Sequence, residues 1–208
     1  MAAAHAAPDA ADTRQRVLEA ACAAFREEGY QVSIERIAAR AQVARQTLYN
    51  HFASKEALFA AVMRHAVQSI LVTLEGEGDL RTTLLDFAQA YRARVLSAEG
   101  IAIFRTMVAE APRFPELARQ FFEEGPQHTR QGLARYLARA MAAGRLRRDD
   151  PAFAAELLTA MLSDYDRLKR LFGLSAEPED EAKAARVVDA FLRLFAPPGR
   201  SRMAHRRR

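Results

Sequence analysis

The stretch Ser33-Ile-Glu-Arg-Ile-Ala-Ala-Arg-Ala-Gln-Val-Ala-Arg-Gln-Thr-Leu-Tyr-Asn-His-Phe-Ala-Ser-Lys55 decides how the chain is read. Ser33 is a natural N-cap, because its hydroxyl can accept one of the backbone N–H groups that a first helical turn leaves unpaired. Ile34, Ile37, Ala38 and Ala41 then fall at i, i+3, i+4 and i+7, one apolar stripe on a short helix. A turn follows at Gln42, and a second short helix runs from about Ala44 to Asn50. Val43, Leu48 and Phe52 can point back into a small core, which leaves Arg45, Gln46, Thr47, Tyr49 and Asn50 with nothing apolar to pack on. Arginine reads guanine edges, glutamine and asparagine read adenine edges, and threonine and tyrosine hydroxyls reach phosphates. A short helix with an exposed polar face, held across another helix, suits the major groove of DNA. The plainer alternative is an ordinary solvated face. Ser54 caps the next helix and puts Lys55 in its first turn, where a cation opposes the helix dipole; a facing phosphate would explain it.

Working outward, composition bounds the function classes. At 208 residues the chain has room for one domain or two small ones, and half of its residues are apolar, enough for a real core. A single cysteine excludes a disulfide framework and fits a reducing cytoplasm, and Cys22 falls on the apolar face of the first helix. There is no unbroken apolar run of about 18 residues, so no membrane span is expected. Residues 1–12 are alanine-rich without a basic start or a leucine-rich centre, and are expected to be a disordered arm rather than a secretion signal. The net charge of +5 resides in Arg200, Arg202, Arg206, Arg207 and Arg208, so the high pI belongs to a tail, 197–208, expected to be disordered. More telling is the run from Arg36 to Lys55, with four cations and no acid, a pattern suited to phosphate.

The rest reads as helix. A first helix spans about Thr13 to Glu28, with Leu18, Ala21, Cys22 and Phe25 as its stripe and Gly29 as its end. A fourth runs from Ser54 to about Leu74 and is expected to be the only continuous link between the two-helix reader and the remainder of the chain. Leu80, Leu84, Phe87 and Tyr91 mark a fifth helix, and Ile101, Phe104, Met107 and Val108 a sixth ended by Pro112. Pro115 opens a seventh that Pro126 should kink or split. Asp150-Pro151 opens an eighth whose apolar face is wide, and a ninth is expected from Glu177 to Phe195. The prediction is an all-α chain of about nine helices: a three-helix helix-turn-helix domain over 13–60, then a larger helical bundle over 61–196.

Residues 14–63 resemble the DNA-binding domain of the TetR/AcrR family of regulators. The resemblance rests on Ile37-Ala38-Ala39-Arg40-Ala41 and on Thr47-Leu48-Tyr49-Asn50-His51-Phe52-Ala53-Ser54-Lys55-Glu56-Ala57-Leu58. Two positions depart from the family pattern: Gln42 where the turn usually has glycine, and Ala44 where the cap is often serine. The stretch Phe104 to Gly144, above all Val108 to Ala118, is similar to the AefR-like type of C-terminal domain. The resemblance implies a cytoplasmic, dimeric, ligand-responsive repressor that binds a palindromic operator and is released by a small, mostly apolar effector.

On this reading Arg45, Gln46, Tyr49 and Asn50 contact bases, Thr47, His51 and Lys55 contact phosphates or backbone, and Ser33 and Arg36 assist. Leu157, Met161, Leu168, Val188, Phe191, Leu192 and Phe195, on the last two helices, are expected to form the dimer interface, since surplus apolar surface on adjacent helices suggests a partner. Phe87, Tyr91, Phe104, Met107, Phe121, Phe122, Met161 and Tyr165 are the candidate lining of an effector pocket, with Arg105, Asp164 or His128 as polar contacts. Residues of these types at helical spacing are core residues more often than pocket walls. No cofactor or metal is expected, because the five histidines show no ligand spacing and no phosphate loop or nucleophile elbow is present. Two rival readings stand beside this one: a DNA-binding regulator without a physiological ligand, and a helical-bundle enzyme, for which no convergent catalytic groups are visible.

Overall fold

The computed structural model describes residues 10–76, 78–174 and 181–197, and all regular structure among them is helical. The predicted basic tail, most of the predicted arm and the expected start of the last helix at Glu177 lie outside the described residues. Helix α1 spans Ala10–Glu28, so the first helix starts three residues before the expected boundary. It is followed by α2 (Ile34–Arg40), α3 (Arg45–His51) and α4 (Lys55–Leu71), the last ending in a 3-10 turn at Val72–Leu74. Then come α5 (Leu80–Val95), α6 (Ala98–Glu110), α7 (Pro115–Phe122), α8 (His128–Ala142), α9 (Pro151–Leu171) and α10 (Glu181–Leu194).

The boundaries follow from local chemistry. Ser33 Oγ accepts the Arg36 N–H, Ser54 Oγ accepts the Ala57 N–H, Asp79 accepts from Arg81 and Thr82, and Asp150 accepts from Ala152. Each cap satisfies donors that the first turn cannot satisfy itself. Pro126 splits the expected seventh helix: α7 and α8 are joined by a π-helical turn at Glu123–Gln127, which absorbs the amide that proline lacks.

The described residues fall into two compact units. One comprises the chain up to Val67 together with Ala98–Gly125; the other comprises Gln68–Ser97 and the chain from Pro126 onward. The first unit is built on Val17, Ala21, Phe25, Ile37, Leu48, Leu58 and Phe59, with Met107 of α6 and Leu117 of α7 in the same cluster. An aromatic group of Phe25, Tyr30 and Phe59, with ring centroids 5.2–6.0 Å apart, sits at its centre. In the second unit α5, α8, α9 and α10 pack around Leu84, Phe87, Leu133, Leu137, Leu158, Leu162, Val188 and Phe191. The Cβ that Gly132 lacks would lie 2.5 Å from Leu71 Cδ2, so a side chain at this point of α8 would have to displace that of Leu71 at the end of α4.

The division falls inside α4, after Val67, and the chain crosses it again at 97–98 and 125–126. Helix α4 is therefore not the only covalent link, because the units are discontinuous in sequence. Lys55–Leu74 is also long and apolar enough by composition to cross a bilayer, although no unbroken apolar run marks it; more than half of it is buried within the protein, as a core helix would be.

Candidate nucleic-acid interface

Helices α2 and α3 are joined by a turn whose backbone is fully determined. The Gln42 N–H bonds to Ala39 O at 3.1 Å and the Val43 N–H to Ala38 O at 3.0 Å, the paired closure of a Schellman motif. That motif requires a left-handed residue, and Gln42 has φ 56°. The steric cost expected from glutamine at this position is thus present, on the order of 1–2 kcal/mol. Arg16 of α1 holds the turn from outside, donating to Ala41 O at 2.8 Å and Gln42 O at 3.3 Å. Ala44 stands at the N-cap of α3 in extended conformation and offers no side-chain acceptor.

Helix α3 is anchored by Leu48, and Tyr49, expected to have nothing apolar to pack on, is half-buried against the same core. Leu48 is fully buried, Phe52 follows it into the core, and Val43 packs partly against the same cluster. Arg45, Gln46 and Asn50 are exposed, while Thr47, Tyr49 and His51 are half-buried at its flanks. The exposed groups are organised among themselves: Gln46 Nε2 donates to Asn50 Oδ1 at 3.2 Å, and the Arg45 guanidinium lies 5.4 Å from the centre of the Tyr49 ring. A row of amide and guanidinium groups on a short helix whose Leu48 is fully buried is chemically suited to base edges.

Sequence reasoning missed the acids around this face. The run from Arg36 to Lys55 has no acid of its own, but the fold brings carboxylates to it. Arg36 pairs with Glu28 at 2.7 Å, Arg40 is held by both oxygens of Glu27 at 2.6 and 2.7 Å, and Arg45 pairs with Glu35 at 2.8 Å. Hydrogen bonding to Arg40 holds the Glu27 carboxyl below its ordinary value. Lys55 lies 4.5 Å from the centre of the Tyr30 ring, and desolvation there lowers its pKa. Tyr30 in turn donates to Glu56 Oε1 at 3.0 Å; burial first, and that carboxylate second, push its hydroxyl pKa up. The bare cationic patch read from the sequence is therefore largely neutralised. These partners lie across helix boundaries, and no spacing signal announces them. Because exposed pairs contribute only about 0–1 kcal/mol, those of Arg36 and Arg40 can be exchanged for phosphate.

The other predicted site residues divide between core and surface. Of the seven interface candidates, Val188, Phe191 and Phe195 are fully buried within their own unit, Leu157 and Leu192 are half-buried, and Met161 and Leu168 are exposed. The first three are core, since α10 turns its aromatic residues inward beside α5, so they cannot meet a partner chain. A longer exposed apolar row lies along α9 and its C-cap: Phe153, Leu157, Met161, Tyr165, Leu168 and Phe172, spaced three or four residues apart, with Tyr165 69% and Phe172 72% exposed, whereas α10 exposes Leu194. The eight pocket candidates divide between the units. Phe87 and Tyr91 stack at 5.8 Å and are buried in the second, where Met161 and Tyr165 face outward from α9. Met107 and Phe121 pack on the core of the first, Phe104 is half-buried there, and Phe122 is exposed. Of the polar candidates, Arg105 and Asp164 are exposed and His128 is half-buried. Among the described residues no cluster of His, Cys, Asp and Glu has the makings of a metal site.

Known proteins supply the frame for this geometry. Residues 17–62 match the family described as bacterial regulatory proteins of the tetR family, and residues 82–197 match the C-terminal domain of AefR-like transcriptional repressors. A solved structure from Mesorhizobium loti, ascribed to the TetR family of transcriptional regulators, is 28% identical, with a TM-score of 0.71 over 91% of this chain and 99% of its own. The flavonoid-responsive regulator FrrA is 34% identical, with a TM-score of 0.64 over 88% of this chain and 96% of its own. The A-factor receptor protein of Streptomyces griseus is 37% identical over 83 residues, which span 39% of this chain and 29% of that receptor. The chain belongs to the tetR family of bacterial transcriptional regulators, with a helix-turn-helix DNA-binding domain at its N-terminal end and an AefR-like C-terminal domain.

Proposed function

We propose that the protein is a repressor that binds a palindromic operator as a homodimer and is released by a small, mostly apolar effector. The observation that carries the reading is α3: one fully buried leucine behind an exposed row of Arg45, Gln46 and Asn50. On this reading residues 13–60 act as the DNA-binding domain, with Thr47, Tyr49, His51 and Lys55 beside the base readers and Ser33 and Arg36 on α2 assisting. The outward stripe of α9 is the surface for the second copy, and a two-fold pair would set two recognition helices about 34–36 Å apart, one turn of DNA. Its place of action is the compartment that holds the DNA, the bacterial cytoplasm. Family and fold point to a regulator rather than a catalyst.

Two relatives are, by their names, responsive to or receptors for small molecules, which supports an effector for this chain too. The mechanism is linkage: an effector that prefers the conformation whose reading helices are misaligned weakens operator binding, by 5- to 150-fold for a coupling of about 1–3 kcal/mol. The same coupling requires saturating operator DNA to weaken effector binding by the same factor. One observation favours the reading without a ligand: the eight candidate lining residues are not gathered within either unit. A mobility shift on the DNA beside its own gene tests the regulator itself. Melting the protein with small aromatic and fatty compounds separates the two readings, since a stabilising compound that also releases DNA establishes an effector.

A further inference from the structure

Glu35 stands in the first turn of α2, outside the positions assigned to reading or holding DNA. Its carboxylate oxygen lies 2.8 Å from Arg45 Nη1, and both side chains are open to water, Arg45 62% and Glu35 57% exposed. Arg45 opens α3, and its guanidinium also lies 5.4 Å from the centre of the Tyr49 ring one turn on. The guanidinium is thus held from two sides, by a carboxylate from the neighbouring helix and by an aromatic face of its own helix. Both contacts favour the cation: the Tyr49 hydroxyl first and the Glu35 charge second raise the Arg45 pKa.

Arginine is a flexible side chain, and a guanine is read only when two of its five N–H donors meet O6 and N7 together. Fixing the guanidinium beforehand reduces the rotamer entropy lost on binding, which is where a positioning partner contributes. The Glu35 pair engages one terminal nitrogen, Nη1, of a guanidinium that carries five N–H donors in all. An acid beside a phosphate-binding face also repels DNA in general. A pair that holds a reading arginine while repelling the backbone raises discrimination more than affinity.

We infer that Glu35 is a positioning residue for sequence recognition, buttressing Arg45 against one base pair, and that it sets specificity rather than affinity. The inference rests on the proposed reading of α3 as the recognition helix. The test uses the full chain and a duplex selected by that chain from a randomised pool, measured against an unrelated duplex of equal length. For Glu35→Gln, the preference for the selected duplex should fall about five- to tenfold, part of the discrimination that one bidentate arginine supplies. Affinity for the unrelated duplex should stay level or rise, and Glu35→Asp should restore part of the preference. In an Arg45→Ala background, Glu35→Gln should change nothing further. If Glu35→Gln raises binding to both duplexes equally, the carboxylate only repels phosphate and the inference fails. If it leaves both unchanged, the pair is idle and the inference fails as well. If Arg45→Ala itself leaves the preference intact, the arginine does not read a base, and the assignment of the reading face falls with the buttress. If the wild-type chain selects no duplex, the proposed function fails on its own, which is a different result from losing the buttress alone.

Discussion

Helices α9 and α10 lie side by side in one unit, and both carry an apolar stripe running most of their length. They nevertheless use it in opposite directions. Phe191 and Phe195 of α10 pack on each other at 4.6 Å and are fully buried. Arg147 closes over Phe195, its guanidinium 5.1 Å from the ring centre and its backbone N–H bonded to Phe195 O at 2.9 Å. Helix α9 is two-sided. Its inner face, Ala154, Ala155, Leu158 and Leu162, is fully buried, while Phe153, Met161, Tyr165, Leu168 and Phe172 stand in solvent. A helix with apolar residues on one face needs one neighbour; a helix with them on two faces needs another. Exposed apolar surface of this kind is what suits a partner, so within this pair the proposed surface for a second copy belongs to α9.

The sharpest way to break that contrast is to place aspartate on each helix in turn. Phe191→Asp puts an unpaired charge in a sealed core and should cost more than about 4 kcal/mol, so circular dichroism should show a chain that melts far lower or does not fold. A folded Phe191→Asp chain would mean that α10 is not core. Between the two helices lies a polar clasp. Asp166 of α9 accepts from Lys183 of α10 at 2.6 Å and from Arg92 of α5 at 2.8 Å, and Arg92, its side chain only 4% exposed, also donates to Leu162 O. Burial acts to raise the Asp166 pKa, but the bonds from Lys183 and Arg92 outweigh it and hold the carboxyl below its ordinary value. Asp166→Asn takes a charged acceptor from both Lys183 and the buried Arg92, so it should lower stability by about 1–3 kcal/mol at neutral pH in urea unfolding. A group with a depressed folded pKa contributes above the unfolded value, near about 4, and loses that contribution as pH falls through the folded value. The gap between wild type and Asp166→Asn should therefore shrink below about pH 4; a constant gap would show that the Asp166 charge is not what stabilises.

Smaller in effect on the fold is the matching change on α9. Tyr165→Asp with Leu168→Asp should leave helix content intact but weaken self-association at least about 30-fold, the loss expected from a centrally placed aromatic contact. Analytical ultracentrifugation reads this directly, and a wild-type chain that is monomeric at micromolar concentration would rule out the second copy. The smallest effect lies in the reader. Gln42→Gly relieves a left-handed non-glycine residue, and after the extra freedom glycine gives the unfolded chain, about 0.5–1 kcal/mol of stabilisation should remain. A thermal melt showing destabilisation would mean that the glutamine side chain makes a contact worth more than the strain.

Much of this architecture is legible in the chain, for identifiable reasons. Ser33, Ser54 and Asp150 cap their helices through bonds that reach only two or three residues, and Pro126 breaks its helix by chemistry it carries itself. The left-handed Gln42 follows from the shape of the turn. The exposed Arg45, Gln46 and Asn50 on α3 are legible because Leu48 has to point inward, whereas the packing of Tyr49 on the same core is not. What escapes is tertiary. Periodicity reveals that α10 buries a stripe but not against what, so it assigns Val188, Phe191 and Phe195 to a partner although their own unit covers them. Glu27, Glu28 and Glu35 neutralise Arg40, Arg36 and Arg45 across helix ends, where neither helical nor strand spacing applies. The inclusion of α6 and α7 in the same compact unit as α3 rests on contacts such as those of Met107 and Leu117, far along the chain from the core they join.

The central claim is that the outward face of α3 reads DNA sequence. The most direct measurement is the affinity of full-length wild type, Gln46→Ala and Asn50→Ala for the duplex that wild type selects from a randomised pool, at a fixed salt concentration, beside an unrelated duplex. Each substitution should cost about 1–3 kcal/mol on the selected duplex, relax preference at one base position, and leave the unrelated duplex unaffected. Wild-type affinity and wild-type preference in both variants would contradict the claim.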